Sequence, residues 1–361
     1  MQASVRPPEL RRLIVLFEPE AACRDRLVAG GMAPEVAAEI AFYLAQATDF
    51  QALIEPLAAA FAGIGVELVC RPLDPAEGWL PLLTGPERRH TLLWSLTDGF
   101  QRYRGSFVAS LAGLLDVPLF GSTPAAYHLC QDKFRCGSLA TALGLRTPPT
   151  VLVENGSALS PLTVLPTQGP LFVKPNTLGA KLGIETDSRA EDLAAALEVS
   201  RRIWRRYGDR AVIQAYLPGR DVRVSCLDLG EAEPRLGIYE ISADTRAGFP
   251  TLADSLRMTS LRAAGEAGGL KLDLRPLDGP AAATIAAACR KIARVAGLRD
   301  CFSLDFRLDA AGEPWFLEFE VGPAVTIYDF LTYLRDAHGT DLPGALVRAA
   351  PLAFARRLAG S

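Results

Sequence analysis

The stretch CFSLDFRLDAAGEPWFLEFEV (301–321) decides the fold of this chain. Apolar and polar residues alternate along both of its halves, which predicts an antiparallel hairpin with its turn in the middle of the AAGE segment. With that turn, Asp305 lies directly opposite Glu318, and Ser303 lies opposite Glu320. Three carboxylates therefore share one patch on one face of the sheet.

The crowding of these carboxylates needs a physical reason. Like charges directly opposite each other are unfavourable by a few tenths to about 1 kcal/mol per pair, so we expect a cation to offset them. An all-oxygen ligand set suits Mg²⁺, which binds one or two carboxylates together with nucleotide phosphates. The alternative is a solvated face whose charges are balanced by Arg307 and nearby lysines. The same alternation predicts that Trp315, Leu317 and Phe319 share the apolar face, and that Phe316 lies with the carboxylates.

The overall composition excludes several classes of function. The chain has 361 residues, with 38 Lys and Arg against 41 Asp and Glu and a net charge of −3, so no nucleic-acid partner is expected. No apolar run reaches the roughly 18 residues of a membrane span, and the stretch at 13–17 lacks the flanks of a secretion signal. Seven scattered cysteines and only three histidines favour reduced thiols over disulfides or a zinc site. We therefore expect a cytoplasmic protein with no membrane partner.

The first third of the chain alternates short apolar runs with helical stretches. The predicted strands are LIVLF, VELVC, TLLWSL and VPLFG (13–17, 66–70, 91–96 and 117–121). Strands that alternate with helices predict a parallel sheet covered by helices. Neither GxGxxG nor GxxxxGK[ST] follows any of these strands, so we do not expect a nucleotide to bind here in the Rossmann or P-loop manner. This domain is expected to present substrate-side loops.

Three domains are predicted, over residues 1–121, 122–214 and 215–361. The first boundary falls where Ser122 is expected to cap a helix and Pro124 suits its first turn. Ser188 and Glu191 form a capping-box pattern, which predicts the start of a second helix.

Three lysines stand beside features that are typical of phosphate sites. Lys174 follows the apolar run LFV and precedes the loop NTLGAKLG (176–183), whose backbone N–H groups can cradle a phosphate. Lys181 lies within that loop, and Lys133 follows Asp132 in a helix-forming stretch. Any one of them alone would more often be a surface charge. Their order along the chain, followed by PGRD and then by the acidic hairpin, favours a phosphate site.

In these segments the chain resembles the ATP-grasp superfamily, and most closely its D-alanine–D-alanine ligase branch. QDKFRCGSLATALGLRTPP is similar to the family's DK-helix segment, LFVKPNTLGAKLGI to its lid, AVIQAYLPGRDVRV to its linker strand, and SLDFRLDAAGEPWFLEFEVGP to its metal hairpin. The likeness covers about residues 115–335. It implies an α/β, three-domain ATP-grasp architecture, with an N-terminal Rossmann-like domain, a central lid domain and a C-terminal α+β domain.

The resemblance also implies a role for each matching residue. Lys133 and Lys174 would contact ATP phosphates, and the 176–183 loop would close over them, with Gly179 and Gly183 permitting close approach and movement. In the linker strand, the residues along the adenine edge would be Gln214, Tyr216 and Leu217. Asp221 would bind the ribose. The Mg²⁺ ligands, with Mn²⁺ as an alternative ion, would be Asp305, Glu318 and Glu320. For Gln214 and Tyr216 the alternative is ordinary strand packing.

The chemistry that the resemblance implies is carboxylate activation. Family members transfer the γ-phosphate of ATP to a carboxylate, and an amine then attacks the acylphosphate. The catalytic candidates are Lys181, Arg223 and Arg246, with Arg257 and Arg262 as further arginines for the donor carboxylate or the tetrahedral intermediate. We expect small-molecule carboxylate and amine substrates, with a homodimer as one expectation for assembly. Two alternatives stay open: an ATP-binding protein without ligase turnover, and a carboxylate kinase.

Several positions depart from the ligase branch. Its members commonly have Glu where Gln214 stands and Asn where Glu320 stands. They also carry an Arg two residues before the metal Asp and a Ser beyond the last metal ligand, where this chain has Ser303 and Asp329. Asp98, followed by a glycine, replaces the His of an HG pair. We therefore predict that the protein is not a D-alanine–D-alanine ligase, and that its acceptor is neutral or cationic.

Overall fold

The structure is a computed structural model that describes residues 9–47, 51–243, 249–251, 253–254, 272–322, 325 and 328–359. Three of the candidate arginines, Arg246, Arg257 and Arg262, lie outside the described residues. Within the described ranges the strands form three sheets, one of four strands and two of five. The helices of these ranges include none that is long and apolar enough to cross a membrane.

The N-terminal sheet is parallel, as the alternating pattern predicts. Its strands are ordered β2-β1-β3-β4. The LIVL run of β1 is almost completely buried, because helices cover both faces of a parallel sheet. The elements are β1 (Arg12–Phe17), α1 (Glu20–Ala29), α2 (Pro34–Ala47), α3 (Gln51–Ala62), β2 (Glu67–Pro72), α4 (Leu80–Thr84), β3 (Thr91–Ser95), α5 (Gly105–Leu114) and β4 (Leu119–Phe120).

The second sheet is antiparallel and has the order β6-β5-β9-β7-β8. Two helices precede it and one packs against it. The elements are α6 (Pro124–Leu129), α7 (Lys133–Ala142), β5 (Thr150–Glu154), β6 (Ser157–Ala158), β7 (Leu171–Pro175), β8 (Arg189–Ala190), α8 (Leu193–Tyr207) and β9 (Ala211–Ala215).

Two predicted helix starts are wrong by a few residues. Thr123, not Ser122, caps α6, since its hydroxyl accepts a hydrogen bond from the backbone of Ala126. Asp192 caps α8, whereas Ser188 forms a capping box with Glu185 in a short 3₁₀ turn before it. Neighbouring Ser, Thr and Asp residues are all good caps, so the sequence does not decide between them.

The third sheet is antiparallel, with the order β12-β11-β10-β13-β14. The α/β class is confirmed, and the three sheets are consistent with the predicted three-domain arrangement, whereas the domain boundaries remain a prediction. The elements are β10 (Arg220–Leu227), β11 (Leu236–Ala243), β12 (Leu272–Pro276), α9 (Gly279–Ala296), β13 (Cys301–Leu308), β14 (Pro314–Glu320), α10 (Tyr328–His338) and α11 (Leu342–Ala359).

The register of the hairpin formed by β13 and β14 is confirmed where the carboxylates lie. Asp305 pairs with Glu318, and Ser303 pairs with Glu320. A β-bulge after Asp305 then shifts the pairing by one residue, so that Phe306 meets Phe316. The prediction that Phe316 shares the carboxylate face is therefore wrong: Phe316 is buried, because its ring packs against Phe306 with centroids 5.6 Å apart.

The two faces of the third sheet have opposite character. Along β10, Val222, Val224 and Cys226 are buried in the core formed with α9. Because side chains alternate along a strand, Asp221 and Arg223 lie on the other face, beside the carboxylates of β13 and β14. The sheet thus separates an apolar back from a charged front.

Candidate active site

Arg223 is the centre of the charged front of the third sheet. Its Nη1 lies 3.1 Å from Oδ1 of Asp305, its Nη2 2.5 Å from Oε2 of Glu320, and its Nε 3.3 Å from Oδ2 of Asp329. Burial opposes ionisation, but the three carboxylates outweigh it and raise the pKa of Arg223. Burial also raises the pKa of Asp305, against the opposing effect of Arg223. One guanidinium therefore lies in ion-pair contact with three acids.

Glu318 is held by two lysines on the same face. Its Oε2 lies 3.3 Å from Nζ of Lys133, and its Oε1 lies 3.9 Å from Nζ of Lys174. Burial alone would raise the pKa of Glu318, but the two ammonium groups lower it to about 2. Burial lowers the pKa of Lys174, and Glu318 opposes that effect. Both lysine side chains are only 8% exposed, so Glu318 is a buried counter-charge to each of them.

Local structure fixes the two lysines in place. Asp132 caps α7 by accepting a hydrogen bond from the backbone of Arg135, which makes Lys133 the first residue of the helix. The Nζ of Lys133 also donates to the carbonyl of Leu178 at 2.8 Å. Lys174 lies in β7 with neighbours buried on both sides. A helix start, a strand and a loop therefore converge on Glu318.

The 176–183 loop is anchored at its beginning. Asn176 accepts a hydrogen bond from the backbone of Lys133 and another, through its side chain, from Phe134. The backbone and hydroxyl of Thr177 both donate to Asp209, at 2.8 and 3.0 Å. Burial raises the pKa of Asp209, while these two hydrogen bonds from Thr177 oppose the shift.

The middle of the loop touches the N-terminal domain. A Cβ at Gly179 would lie 2.8 Å from the ring of Tyr43 in α2, so a side chain there would displace one of the two. Ala180 and Lys181 both adopt left-handed backbone, with φ of 48° and 62°, which costs L-residues of order 1 kcal/mol each. Gly183 has φ of 72° and lies against Pro175. The loop is therefore packed closely in a specific conformation.

Lys181 extends from this loop toward the charged front. Burial lowers the pKa of Lys181, and the field of Arg223 lowers it further, whereas Asp305 and Asp221 act in the opposite direction. Within the described part of the chain Lys181 has no ion pair closer than 4 Å. It is a cation near the site that an anionic ligand can still neutralise.

The candidates for the adenine edge have partners of their own. The amide of Gln214 donates to the hydroxyl of Thr150 at 2.9 Å, which fits strand packing. The ring of Tyr216 lies 5.2 Å from the guanidinium of Arg189. The carbonyl of Leu217 accepts from Nε of Arg307 at 2.6 Å.

Asp221, the candidate at the ribose, belongs to the same strip. Its carboxylate pairs with Nη1 of Arg307 at 2.6 Å. Asp221 and Arg307 face each other in the register of β10 and β13. Arg307 thus joins the segment before β10 to the acidic hairpin.

A second polar cluster, which sequence reasoning identified only through Asp98, lies in the N-terminal domain. Asp98 is 2% exposed and accepts hydrogen bonds from Tyr43 at 2.7 Å and from Gln131 at 2.5 Å. Burial raises the pKa of Asp98 to about 7, and the field of Glu320 adds to this shift while the two hydrogen bonds oppose it. Tyr43 links this cluster to Gly179, and nothing in the local sequence marks it.

The candidate residues thus form a central cluster and a periphery. The central cluster consists of two ion-paired groups on one face of the sheet: Lys133 and Lys174 with Glu318, and Arg223 with Asp305 and Glu320. In the described ranges, no group of three or more His, Cys, Asp or Glu is arranged so that it could hold a metal ion. In this arrangement the carboxylates of the hairpin are paired with Lys133, Lys174 and Arg223.

Comparison with known proteins identifies the family. The model of the family described as "D-ala D-ala ligase C-terminus" matches residues 154–348. The chain belongs to the D-alanine–D-alanine ligase family. The match runs from the end of β5 into α11, so it includes every residue of the central cluster except Lys133.

Individual relatives agree with this assignment. A D-alanine–D-alanine ligase of Pelotomaculum thermopropionicum is 27% identical over 264 residues, which are 68% of this chain and 75% of the relative. A putative D-alanine–D-lactate ligase of Streptomyces coelicolor is 26% identical over 324 residues, or 82% and 88% of the two chains. The solved structure of the Bacillus anthracis D-alanine–D-alanine ligase complexed with ATP has a TM-score of 0.64 at 16% identity, covering 98% of this chain and 100% of that one.

The resemblance to the ATP-grasp superfamily is therefore confirmed, and so is the enzyme class. The protein is an ATP-grasp carbon–nitrogen ligase of the D-alanine–D-alanine ligase type.

Proposed function

We propose that this D-alanine–D-alanine ligase relative joins a carboxylate to an amine through an acylphosphate, at the expense of ATP, and that its acceptor is neutral or cationic rather than a second D-alanine. The observation that carries the proposal about the acceptor is the position of Asp329. Its carboxylate lies 3.3 Å from Arg223, beside two further acids, in the part of the site where the ligase branch has a Ser.

ATP would bind with its phosphates between the two buried lysines and the 176–183 loop. Lys133 and Lys174 are held together by a single carboxylate, Glu318, and Lys181 has no close acidic partner among the described residues. Two buried lysines that share one close carboxylate, with Lys181 nearby, form a site in which added phosphate charge is favourable. The adenine would lie along 214–217, and Asp221 would receive the ribose.

Mg²⁺ fits the chemistry of the hairpin. Asp305, Glu318 and Glu320 offer only oxygen donors on one face of β13 and β14, which is the donor type that Mg²⁺ prefers. The basic side chains that now pair with these acids would have to turn toward the phosphates for the carboxylates to become ligands. When bound, the ion would supply charge compensation to the transferring phosphoryl group.

The reaction itself follows from this arrangement. A donor carboxylate oxygen attacks the γ-phosphorus, the bond between that phosphorus and the bridging oxygen breaks, and ADP leaves. The amine then attacks the acyl carbon, phosphate departs with the carbon–oxygen bond electrons, and the amine loses a proton. Lys133, Lys174 and Arg223 would stabilise the charge that develops on the phosphoryl group. The closely packed 176–183 loop would keep water from the acylphosphate.

The acids around Arg223 determine which acceptor is tolerated. Arg223 already pairs with Asp305, Glu320 and Asp329. These carboxylates offset its positive charge, so it would attract a further carboxylate only weakly. At about 5 Å and an effective dielectric constant of about 20, an acceptor carboxylate would be repelled by Asp329 by about 3 kcal/mol. That corresponds to a roughly hundredfold loss of affinity. An ammonium or a neutral amine would not suffer this repulsion.

The test is a coupled assay of ADP release with pairs of carboxylates and amines, including D-alanine, D-lactate and D-serine. We expect ADP release to need both a carboxylate and an amine, and D-alanine alone to be a poor substrate. Asp329→Ser should increase activity with acceptors that carry a carboxylate, whereas Asp336→Ser in the same helix should not. Robust turnover of D-alanine alone that is unchanged by Asp329→Ser would refute the acceptor proposal.

A further inference from the structure

A cavity of about 290 Å³ lies behind the third sheet. It is a partly open cavity bordered by α9, by the end of α11 and by the back of the sheet, where Cys226 and Phe302 line it. Cys226 shares the apolar back of β10 with Val222 and Val224, whereas Arg223 lies on the front. The cavity is therefore on the opposite side of the sheet from the central cluster. Its volume is near the lower limit of ligand pockets, which is about 300 Å³.

The charged residues that line this cavity are mostly basic. They are four arginines and two aspartates: Arg290, Arg299, Arg356, Arg357, Asp228 and Asp300. Asp228 pairs with Arg356, and Asp300 pairs with Arg357. Arg290 has a partner outside the lining, Glu233, at 3.0 Å. Ion pairs thus account for three of the four arginines.

Arg299 is the exception. Among the described residues no carboxylate lies within 4 Å of its guanidinium, and its buried Nε has no hydrogen-bond partner there. Burial lowers the pKa of Arg299, the neighbouring Arg357 lowers it further, and Asp300 opposes both. A partly desolvated cation without a direct ion pair is unfavourable. An anion in the cavity would remove that cost.

The rest of the lining is apolar. Leu236, Leu298, Phe302 and Ala293 form a wall beside the arginines. A ligand that fills the cavity must therefore combine one anionic group with a small apolar body. A single negative charge fits better than the double charge of a phosphate, because Asp228 and Asp300 also lie on the lining.

We propose that this cavity is a second binding site, which takes a small organic carboxylate with a short aliphatic or aromatic body. The carboxylate pairs with the guanidinium of Arg299, whose planar fork suits a bidentate contact. The body packs on the wall formed by Leu236, Leu298 and Phe302. Since the site lies behind the sheet, its ligand does not compete with ATP.

The test uses benzoate and hexanoate as probes, with inorganic phosphate for comparison, in titration calorimetry and thermal-shift measurements. A nonhydrolysable ATP analogue with Mg²⁺ is present at saturation in one arm. Arg299→Gln is compared with Arg294→Gln, which changes an exposed arginine of α9 outside the lining. We expect the wild type and Arg294→Gln to bind benzoate or hexanoate equally with and without the analogue, and Arg299→Gln to bind at least tenfold more weakly.

The melting temperature of Arg299→Gln without any ligand is a second test. Because Arg299 makes no direct ion pair among the described residues, Arg299→Gln should melt no lower than the wild type, whereas a structural arginine would lower the melting temperature when replaced. If Arg299→Gln does not fold, Ala293→Met, which fills the cavity and leaves every arginine in place, should lose the probes instead. Equal binding in wild type and Arg299→Gln, competition with the ATP analogue, or phosphate binding as tightly as benzoate would each overturn the proposal.

Discussion

Replacing Asp98 by asparagine should remove a pH dependence from the stability of the protein. In the folded state burial raises the pKa of Asp98 to about 7, whereas a free aspartate has a pKa of about 3.9. Between these values the folded state keeps a proton that the unfolded state releases, so the free energy of unfolding falls as the pH rises. The shift of about three units corresponds to about 4 kcal/mol at pH 8. About 3 kcal/mol of this loss falls between pH 5 and pH 8.

The assay is urea unfolding of wild type and Asp98→Asn at pH 5, 6, 7 and 8. Asp25→Asn serves as the control, since that side chain is 70% exposed in α1. The free energy of unfolding of Asp98→Asn, relative to that of wild type, should rise by about 3 kcal/mol between pH 5 and pH 8. The same difference for Asp25→Asn should stay constant over this range. A constant difference between Asp98→Asn and wild type over this range would show that Asp98 is already ionised at pH 5, and would refute the reasoning.

Three further outcomes follow from the same contacts. Lys174→Ala should weaken binding of an ATP analogue at least tenfold in calorimetry, because a phosphate contact is lost; unchanged affinity would contradict its role. Glu318→Gln should abolish Mg²⁺-dependent ADP formation and cost about 3 kcal/mol of stability in urea unfolding, and normal turnover would rule out the metal assignment. Gly179→Ala should clash with Tyr43 and speed proteolysis within 176–183, whereas Gly137→Ala, which meets nothing within 4 Å, should not; equal rates would argue against this packing.

The acidic hairpin shows what the sequence can predict and where it stops. For a given turn, strict alternation of apolar and polar residues allows only one register between the two strands. The predicted pairing of Asp305 with Glu318 is therefore correct. The bulge that follows was missed because it depends on Phe316 packing against Phe306 in the core. Alternation records which residues are apolar, but it does not record where an extra residue is inserted.

The contacts between distant segments were beyond the sequence. Nothing near Tyr43 marks it as the residue that meets both Gly179 and Asp98. Arg223 was a candidate, but its pairing with Asp329 joins positions 106 residues apart. Such contacts follow from how sheets and helices pack together, whereas motifs describe only short stretches. The carboxylates and lysines could be named as candidates from the sequence because each lies in a local pattern.

The most direct test of the proposed site is a crystal structure with a nonhydrolysable ATP analogue and Mg²⁺. The account predicts the ion at about 2.0–2.1 Å from oxygens of Glu318 and at least one of Asp305 and Glu320, with the phosphates against Lys133 and Lys174. In that complex, Arg223 should no longer form an ion pair with at least one of Asp305, Glu320 and Asp329. An analogue bound away from these lysines, or an ion that none of the three carboxylates contacts, would contradict it.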